Sequence, residues 1–351
     1  MPQPDGARAQ PVGSRQNVLS VEELSVDYLG PEGAAKAVDR VSFDLAQSEF
    51  MAIVGESGCG KSTLLFAIAR LLSPPAEVRG GRVLFRGQNM VAMTSKQLRA
   101  LRWRALSVVM QSAMNALNPV TSIGAQFRDA MKAHGERDDK AIRRRSQEVL
   151  QMVRIDPVHL ESYPHQLSGG MRQRAMIAMA LLFSPELILM DEPTSALDVV
   201  AQRSLMVQVK QLQADLGFAI IFVTHDMSLV SHFSDRVLVM YAGQVIESQP
   251  TRRLFDSPLH PYTQGLLEAF PSVYGPRASL EGIPGSPPDL SALPQGCNFS
   301  PRCNKRTPRC TEVEPALYRV GEAEVRCLLY EDGTGTPDEH GPARELGLHH
   351  D

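Results

Sequence analysis

The sequence predicts an α/β fold, and three observations support this prediction. Short apolar strands and helical segments follow one another along most of the chain. A strand predicted over Glu49–Val54 leads into a glycine-rich loop, and a helix predicted over Thr63–Leu72 follows that loop. A second apolar strand, Leu187–Met190, ends beside two acidic residues. Strands and helices in this arrangement favour a sheet covered by helices.

The remaining elements are predicted from the same periodicities. Residues from about Ser95 to Phe183 have helical periodicity and many charges, and Val199–Leu216 is a further helical stretch. Ala242 and Gly243 form a hairpin turn between two strands. The other predicted strands are Val21–Tyr28, Val38–Leu45, Gly80–Arg86, Ala219–Val223, Arg236–Tyr241 and Gln244–Ile246.

Composition and charge exclude some classes of function. The 351 residues carry a net charge of −3 and the pI is about 6.3, so we expect no nucleic-acid partner. No run reaches the ~18 apolar residues that span a bilayer; the longest lies at 175–183. Residues 1–17 contain no apolar signal-peptide core. If the protein acts at a membrane, we expect it to dock there on another protein.

The glycine-rich loop has the sequence Gly55-Glu56-Ser57-Gly58-Cys59-Gly60-Lys61-Ser62, which fits G-x-x-x-x-G-K-[ST]. Glycines let the backbone curl until its N–H groups converge on phosphate oxygens, and the next helix adds its positive N-terminal end. Lys61 supplies a charge for the β- and γ-phosphates, and Ser62 offers a hydroxyl to Mg²⁺. Cys59 is a small filler in this loop. The loop therefore predicts nucleotide binding.

The two acids after the Leu187–Met190 strand complete the predicted chemistry. A strand at this position carries Asp191 to the sheet edge beside the phosphate loop, where it can hold Mg²⁺ through water. Glu192 can polarise the attacking water as a general base. The alternative is that Asp191 and Glu192 are solvated acids at a strand end with no role in chemistry. The phosphate loop earlier in the chain argues against this alternative.

Two further runs narrow the choice of family. Leu167–Arg174 reads LSGGMRQR, and Asp191–Asp198 reads DEPTSALD. The first resembles the signature motif of ABC ATPases, with Met171 where glutamine is commoner. The second resembles the metal-binding strand of the same family as it runs into the D-loop.

Single residues at matching positions extend this resemblance. Gln111 lies where the family has its Q-loop glutamine, and His225 matches the switch histidine. Tyr28 matches the aromatic residue that stacks on adenine. The resemblance covers Val18 to about Leu267 and contains the motifs in the family's order.

The resemblance implies a P-loop NTPase of ABC type, with a mixed sheet core, an antiparallel β subdomain and a helical subdomain. It implies an ATPase in which two subunits sandwich ATP. Its catalytic residues would be Glu192, His225 and Lys61, and its Mg²⁺ ligands would be Ser62, Gln111 and Asp191. The nucleotide-binding residues it implies are Tyr28, Gly55, Ser57, Gly58, Cys59, Gly60, Lys61, Ser62, Thr63, Gln111, Ser168, Gly169, Gly170, Asp191 and Asp198.

Four stretches resemble the ATPase subunits of oligopeptide/dipeptide permeases in particular. They are Gln111–Gly124, Tyr163–Gln166, His260–Leu267 and a tail that contains Ile283–Pro288 and Gly296–Cys303. Generic ABC ATPases lack this tail. The resemblance implies import of peptides, a second ATPase subunit in a heterodimer, two transmembrane permease subunits and an extracytoplasmic solute-binding protein. It places the chain on the cytoplasmic face of the inner membrane as a peripheral subunit.

Four cysteines in the tail are candidate metal ligands. Cys297, Cys303, Cys310 and Cys327 have the spacing C-x5-C-x6-C-x16-C, which matches neither a zinc ribbon nor a bacterial ferredoxin run. The spacing alone leaves open Zn²⁺, an iron–sulfur cluster or four reduced thiols. The resemblance implies a [4Fe–4S] cluster, with Zn²⁺ as the alternative. We expect it to stabilise a proline-rich segment with little core rather than to carry out redox chemistry.

These observations divide the chain into four segments. They are a disordered leader (1–17), the ATPase domain (18–267) with its helical subdomain at about 95–185, a C-terminal segment with the four-cysteine site (268–330), and a flexible tail (331–351).

Other functions remain as alternatives. An ABC importer of the same type could instead import nickel, glutathione or oligosaccharides, since the ATPase subunit does not contact the transported substrate. A soluble ABC ATPase acting on DNA or ribosomes is disfavoured, because the spacing from Lys61 to Ser168 leaves no room for a long coiled coil and the chain has one cassette. A degenerate regulatory subunit is disfavoured by the intact Lys61, Asp191, Glu192 and His225.

Overall fold

The computed structural model describes residues 16–31, 33–111, 116–195, 197–269 and 282–332. The predicted leader (1–17) and flexible tail (331–351) lie outside these residues except for two positions each. The strands are β1 (Asn17–Gly30), β2 (Gly33–Ala46), β3 (Phe50–Val54), β4 (Ala76–Phe85), β5 (Gln88–Asn89), β6 (Leu106–Val109), β7 (Leu187–Asp191), β8 (Ala219–Val223), β9 (Arg236–Tyr241), β10 (Gln244–Pro250), β11 (Tyr318–Val320) and β12 (Ala323–Val325).

The described residues also contain helices of two kinds. The α-helices are α1 (Lys61–Ile68), α2 (Ser95–Leu101), α3 (Ile123–Ala133), α4 (Asp139–Met152), α5 (Gly169–Ala180), α6 (Val199–Leu216), α7 (Met227–Phe233), α8 (Thr251–Asp256) and α9 (Pro261–Glu268). Short 3₁₀ turns cover Met90–Ala92, Pro157–Glu161, Pro164–Gln166, Ser300–Arg302, Pro308–Thr311 and Leu328–Tyr330. None of the described helices is long and apolar enough to cross a membrane.

A mixed sheet forms the centre of the fold, with strand order β11-β12-β10-β9-β3-β8-β7-β6. The strands from β9 to β6 are parallel, and β10 and β12 extend the sheet with antiparallel pairs. Side chains of β3 alternate between two apolar clusters: Phe50, Ala52 and Val54 face one, and Met51 and Ile53 face the other. Because both faces are covered, the central parallel strands are buried along their whole length.

A second, antiparallel sheet has the order β2-β1-β4-β5. Its residues alternate between buried and exposed positions, as expected of a sheet with one face on a core. The mixed sheet, the antiparallel sheet and the helices agree with the predicted architecture. β4 begins at Ala76, four residues before the predicted start at Gly80.

The helix after the phosphate loop ends at Ile68, four residues before the predicted Leu72, and two strand elements were not expected. β6 lies inside the stretch that was predicted to be helical, where it pairs in parallel with β7. Its four residues are too few to show a period of their own, and only the buried sheet edge makes them a strand. The β11–β12 hairpin was not predicted either, because its strands have three residues each.

The C-terminal segment packs on the central sheet and contributes most of a small apolar cluster of Leu259, Ala323, Val325, Cys327 and Tyr330. β12 pairs with β10 through Glu247↔Val325 and Ser248↔Glu324. The ring of Phe299 lies 5.3 Å from that of Tyr241 and 5.5 Å from that of Tyr262. The C-terminal segment therefore contacts β9, β10 and α9, and the contacting residues lie far apart in the sequence.

Glu247 is a fully buried carboxylate at this junction. It accepts hydrogen bonds from the backbone N–H of Leu259 (2.8 Å) and His260 (2.9 Å) and from Gln249 Nε2 (2.8 Å). Burial outweighs these donors and raises the pKa of Glu247 to about 7. The carboxyl group is therefore protonated in the folded protein at pH values where it would ionise in an unfolded chain.

We expect Glu247→Gln to remove a pH dependence of stability. Because the folded pKa is raised from 4.5 to about 7, the stabilisation from this group is complete below pH 4.5 and is lost as pH rises through 7. Relative to the variant, the wild type should lose on the order of 3 kcal/mol over this window. Urea unfolding of both proteins from pH 5 to 8 measures it. Parallel stability curves would contradict the assignment.

Candidate nucleotide-binding site

The phosphate loop joins the carboxyl end of β3 to α1. Gly55 and Gly60 have φ angles of 149° and 102°, a region that residues with a Cβ avoid. A Cβ on Gly55 would collide with the carbonyl oxygen of Met240, and one on Gly60 with that of Ala37. Both glycines are therefore required by the backbone conformation and by the close packing of the loop on β2 and β9.

The Lys61 side chain lies inside this loop and is 7% exposed. Its Nζ donates to the carbonyl oxygens of Gly55 and Glu56, each at 2.8 Å. The loop thus holds a buried ammonium group between its own carbonyls, where it can exchange them for anionic oxygens. Cys59 is 3% exposed and fills the space beneath the loop, with its Sγ 3.8 Å from Nζ.

Ser62 and Asp191 meet where α1 approaches the end of β7. Ser62 Oγ donates to Asp191 Oδ1 at 2.9 Å, and Asp191 is 3% exposed. Burial raises the pKa of Asp191, and the hydrogen bond from Ser62 opposes this. A hydroxyl and a carboxylate are oxygen donors of the type that Mg²⁺ prefers, so these two residues fit a magnesium site.

The Glu192 carboxylate lies between two other predicted site residues. Gln111 Nε2 donates to Glu192 Oε2 at 2.8 Å, and His225 Nδ1 is 3.1 Å from Oε1. The three residues follow β6, β7 and β8, whose carboxyl ends share one sheet edge. Glu192 has a φ of 42°, which is unusual for a residue with a side chain. The structure therefore places Gln111 and His225 on the two oxygens of the Glu192 carboxylate.

Tyr28 approaches the same region from the antiparallel sheet. Its hydroxyl is 3.3 Å from Thr63 Oγ1 on the first turn of α1, and the residue is 38% exposed. The ring thus stands beside the phosphate loop with part of its surface open to solvent.

The signature residues begin α5, and Asp198 begins α6. Ser168 caps the N-terminus of α5, and its Oγ accepts from the Met171 N–H at 3.2 Å. Asp198 caps α6 and accepts from the Ala201 N–H at 2.9 Å. Among the described residues, no hydrogen bond joins Ser168, Gly169 or Gly170 to the phosphate loop. The exposed Ser168 and Asp198 are thus available to another molecule.

Comparison with known proteins assigns this site to a family. Residues 38–195 match the family model of ABC transporters, and residues 246–310 match that of the oligopeptide/dipeptide transporter C-terminal region. The dipeptide transport ATP-binding protein DppD of Caldanaerobacter subterraneus subsp. tengcongensis is 41% identical over 319 residues, 90% of this chain and 98% of that protein. The chain belongs to the ABC transporter family. Within it, the chain is an ATP-hydrolysing subunit of the oligopeptide/dipeptide branch.

Further relatives agree with this assignment. The DppD protein of Bacillus subtilis (strain 168) is 42% identical over 318 residues, covering 90% of this chain and 95% of the relative. The structure of the ATP-binding cassette MJ0796, described as a dimer in a post-hydrolysis state with ADP and phosphate, matches with a TM-score of 0.60 and 28% identity. That match covers 67% of this ABC ATPase and 99% of MJ0796. The predicted fold and ATPase activity are confirmed.

The four C-terminal cysteines of the ABC ATPase line a single cavity. Cys297, Cys303, Cys310 and Cys327 surround it together with His260. Within the described ranges, no group of three or more His, Cys, Asp or Glu side chains is arranged to hold a metal ion. One zinc ion at about 2.3 Å from each sulfur would need the thiolates within about 4 Å of one another.

Burial changes the chemistry of these thiols. It raises the pKa of Cys297 to about 11 and that of Cys327 to about 12, and the neighbouring cysteines contribute to both shifts. The thiolate forms of Cys297 and Cys327 would therefore need a compensating positive charge. This donor set fits a cationic metal centre.

One contact to the nucleotide site was not predicted from the sequence. Arg302, which directly precedes Cys303, forms an ion pair with Glu56 of the phosphate loop. The two residues are 246 positions apart. No local pattern marks either of them, since one is a variable position of the loop motif and the other lies in the tail.

Proposed function

We propose that this ABC ATPase powers the import of dipeptides or oligopeptides. The observation that supports this best is the match of residues 246–310 to the oligopeptide/dipeptide C-terminal region. The DppD proteins, 41% and 42% identical, are named for dipeptide transport, and they align over nearly their full length. Importers of nickel, glutathione or oligosaccharides remain the alternative cargo classes.

The site geometry supports specific roles in hydrolysis. Lys61 and the loop amides bind the phosphates, and Ser62, Asp191 and Gln111 would hold Mg²⁺, which neutralises phosphate charge when bound. Glu192 accepts the proton of the attacking water, and ADP and phosphate are the products. Gln111 and His225 hold the Glu192 carboxylate in place. Tyr28 supports the adenine from beside Thr63.

A sandwich dimer is supported by the exposed Ser168, which makes no hydrogen bond to the phosphate loop of its own chain among the described residues. Ser168, Gly169 and Gly170 would bind the γ-phosphate held by the phosphate loop of a second ATPase subunit, with Asp198 at the same interface. We further propose a heterodimer, two transmembrane permease subunits and an extracytoplasmic solute-binding protein. This ABC ATPase then lies on the cytoplasmic face of the membrane. Residues 18–267 would form the ATPase domain and 268–330 the cysteine-containing segment.

We also propose that Cys297, Cys303, Cys310 and Cys327 hold a [4Fe–4S] cluster, with Zn²⁺ as the alternative. Their common cavity supports this, as does the burial of Cys327. A bound cluster would supply cross-links between parts of the segment that have little core of their own.

Uptake of labelled substrates by the native host tests the transport function. Deletion of the gene should reduce dipeptide uptake, because import by this system requires its ATPase. A plasmid with the wild-type gene should restore uptake, and one with Glu192→Gln should not. Nickel, glutathione and oligosaccharide uptake are measured in parallel. Loss of one of these with normal peptide uptake would refute the peptide assignment.

A further inference from the structure

Two residues hold Glu56 of the phosphate loop: Tyr262 of α9 and Arg302 of the C-terminal segment. The Tyr262 hydroxyl accepts a hydrogen bond from the Glu56 backbone N–H at 2.9 Å. Arg302 binds the Glu56 carboxylate with both ends of its guanidinium, Nη1 to Oε2 at 2.6 Å and Nη2 to Oε1 at 2.9 Å. A two-point ion pair of this type fixes both distance and orientation.

Arg302 is itself held in place. Its side chain is only 6% exposed. The Nε atom donates to the carbonyl oxygen of Pro284 at 2.8 Å, and Nη1 lies 3.4 Å from the Tyr241 hydroxyl. The guanidinium is therefore a fixed positive charge beside the loop rather than a mobile surface group.

The charges of Lys61 and Glu56 explain why the loop needs the positive charge of Arg302 beside it. Lys61 provides the ammonium that attracts phosphates, and it lies 2.8 Å from the Glu56 carbonyl oxygen. The Glu56 side chain brings a negative charge to the same loop and is only 26% exposed, so water screens it incompletely. With Arg302 paired to Glu56, the positive charge of Lys61 remains uncompensated. Without Arg302, the carboxylate opposes the negative charge of a nucleotide.

We propose that Arg302 is a positioning residue that neutralises Glu56, so that the docked C-terminal segment sets the affinity of the phosphate loop for ATP. This inference rests on the proposed role of the loop in ATP binding. It gives the C-terminal segment a part in the nucleotide site.

Binding of a fluorescent ATP analogue to the full-length protein tests the inference. Arg302→Gln keeps hydrogen-bond donors for the nearby carbonyls but loses the charge. An uncompensated negative charge near the phosphates should weaken binding at least about tenfold, because two unit charges about 10 Å apart at an effective dielectric constant of about 20 already repel each other by that much. The carboxylate acts on bound ATP and on the transition state alike, so KM for ATP should rise at least about tenfold with kcat within about twofold.

A second substitution separates charge from mere support of the loop. Glu56→Gln/Arg302→Gln removes both charges and should bind ATP within about twofold of the wild type. Arg302→Lys keeps the charge and should also stay within about twofold. If Arg302 only supported the loop, the double variant would bind as weakly as Arg302→Gln. That result, or unchanged binding by Arg302→Gln, would overturn the proposal.

Arg309→Gln is the matched control. Arg309 of the C-terminal segment forms a similar two-point pair at 2.7 and 3.2 Å, but its partner is Glu331, just past that segment, and not a residue of the phosphate loop. Its ATP binding should equal that of the wild type. If Arg302→Gln does not fold, the double variant still tests the inference, because it leaves no unpaired charge. A tenfold loss of ATP affinity in the folded double variant refutes the inference. A wild type that binds no ATP would refute the proposed function as well.

Discussion

Glu192→Gln is expected to lower ATP hydrolysis by about 10²-fold or more while ATP binding persists. The carboxamide has the same shape as the carboxylate but cannot take a proton from the attacking water. Glu192 Oε1 and Oε2 lie within hydrogen-bond distance of His225 and Gln111, so the variant keeps a side chain of the right size among these partners. Binding residues on the phosphate loop are unchanged.

A trapped dimer is the second readout of this variant. In the proposed dimer, ATP lies between the phosphate loop of one subunit and the signature residues of the other. Because Glu192→Gln does not hydrolyse the bound ATP, the two subunits should stay associated. Size-exclusion chromatography with ATP and Mg²⁺ measures this, and phosphate release measures turnover. Glu186→Gln is a suitable control, since Glu186 precedes β7 and pairs with Arg86. Normal turnover in Glu192→Gln would refute the assignment of the base.

Cys303→Ser is expected to abolish metal binding by the C-terminal segment and to destabilise it. Cys303 lines the cavity that also contains Cys297, Cys310 and Cys327, and a serine hydroxyl is a poor replacement for a thiolate on iron or zinc. Without the metal, the segment depends on its short β12 pairing with β10, on packing around Phe299 and on the ion pair of Arg302 with Glu56. Limited proteolysis should therefore cut it faster.

Anaerobic purification with visible spectroscopy and metal analysis measures the metal content. About four irons and a broad absorption band near ~400 nm are expected for the wild type, and neither for Cys303→Ser. Cys59→Ser is the control, because Cys59 lies under the phosphate loop and not in the cavity. One zinc and no iron would favour the zinc alternative. Undiminished metal in Cys303→Ser would refute the four-cysteine proposal.

Much of the nucleotide site could be predicted from the sequence because its chemistry is local. Gly55, Gly60 and Lys61 belong to one short loop, so the conformation of that loop fixes the number of residues between them. Asp191 and Glu192 follow directly on the buried strand that carries them. Strands and helices with several periods, such as Ala219–Val223 and Val199–Leu216, were predicted with the bounds that the structure has.

Elements without a period of their own were not predictable in this way. β6 is a strand only because the edge of β7 is available to it, and its sequence also suits the helices around it. The β11–β12 hairpin depends on β10 in the same way. Such short segments take their conformation from tertiary hydrogen bonds rather than from local preference.

The sequence by itself determined the family, the fold class and the candidate residues of hydrolysis, because motif order and spacing are local properties of the chain. Only the tertiary structure decided which distant groups meet. It placed Gln111 and His225 on opposite oxygens of Glu192, and Arg302 on Glu56. The physical reason is that an ion pair across 246 positions depends on how the sheet and the C-terminal segment pack, and no local pattern records that packing.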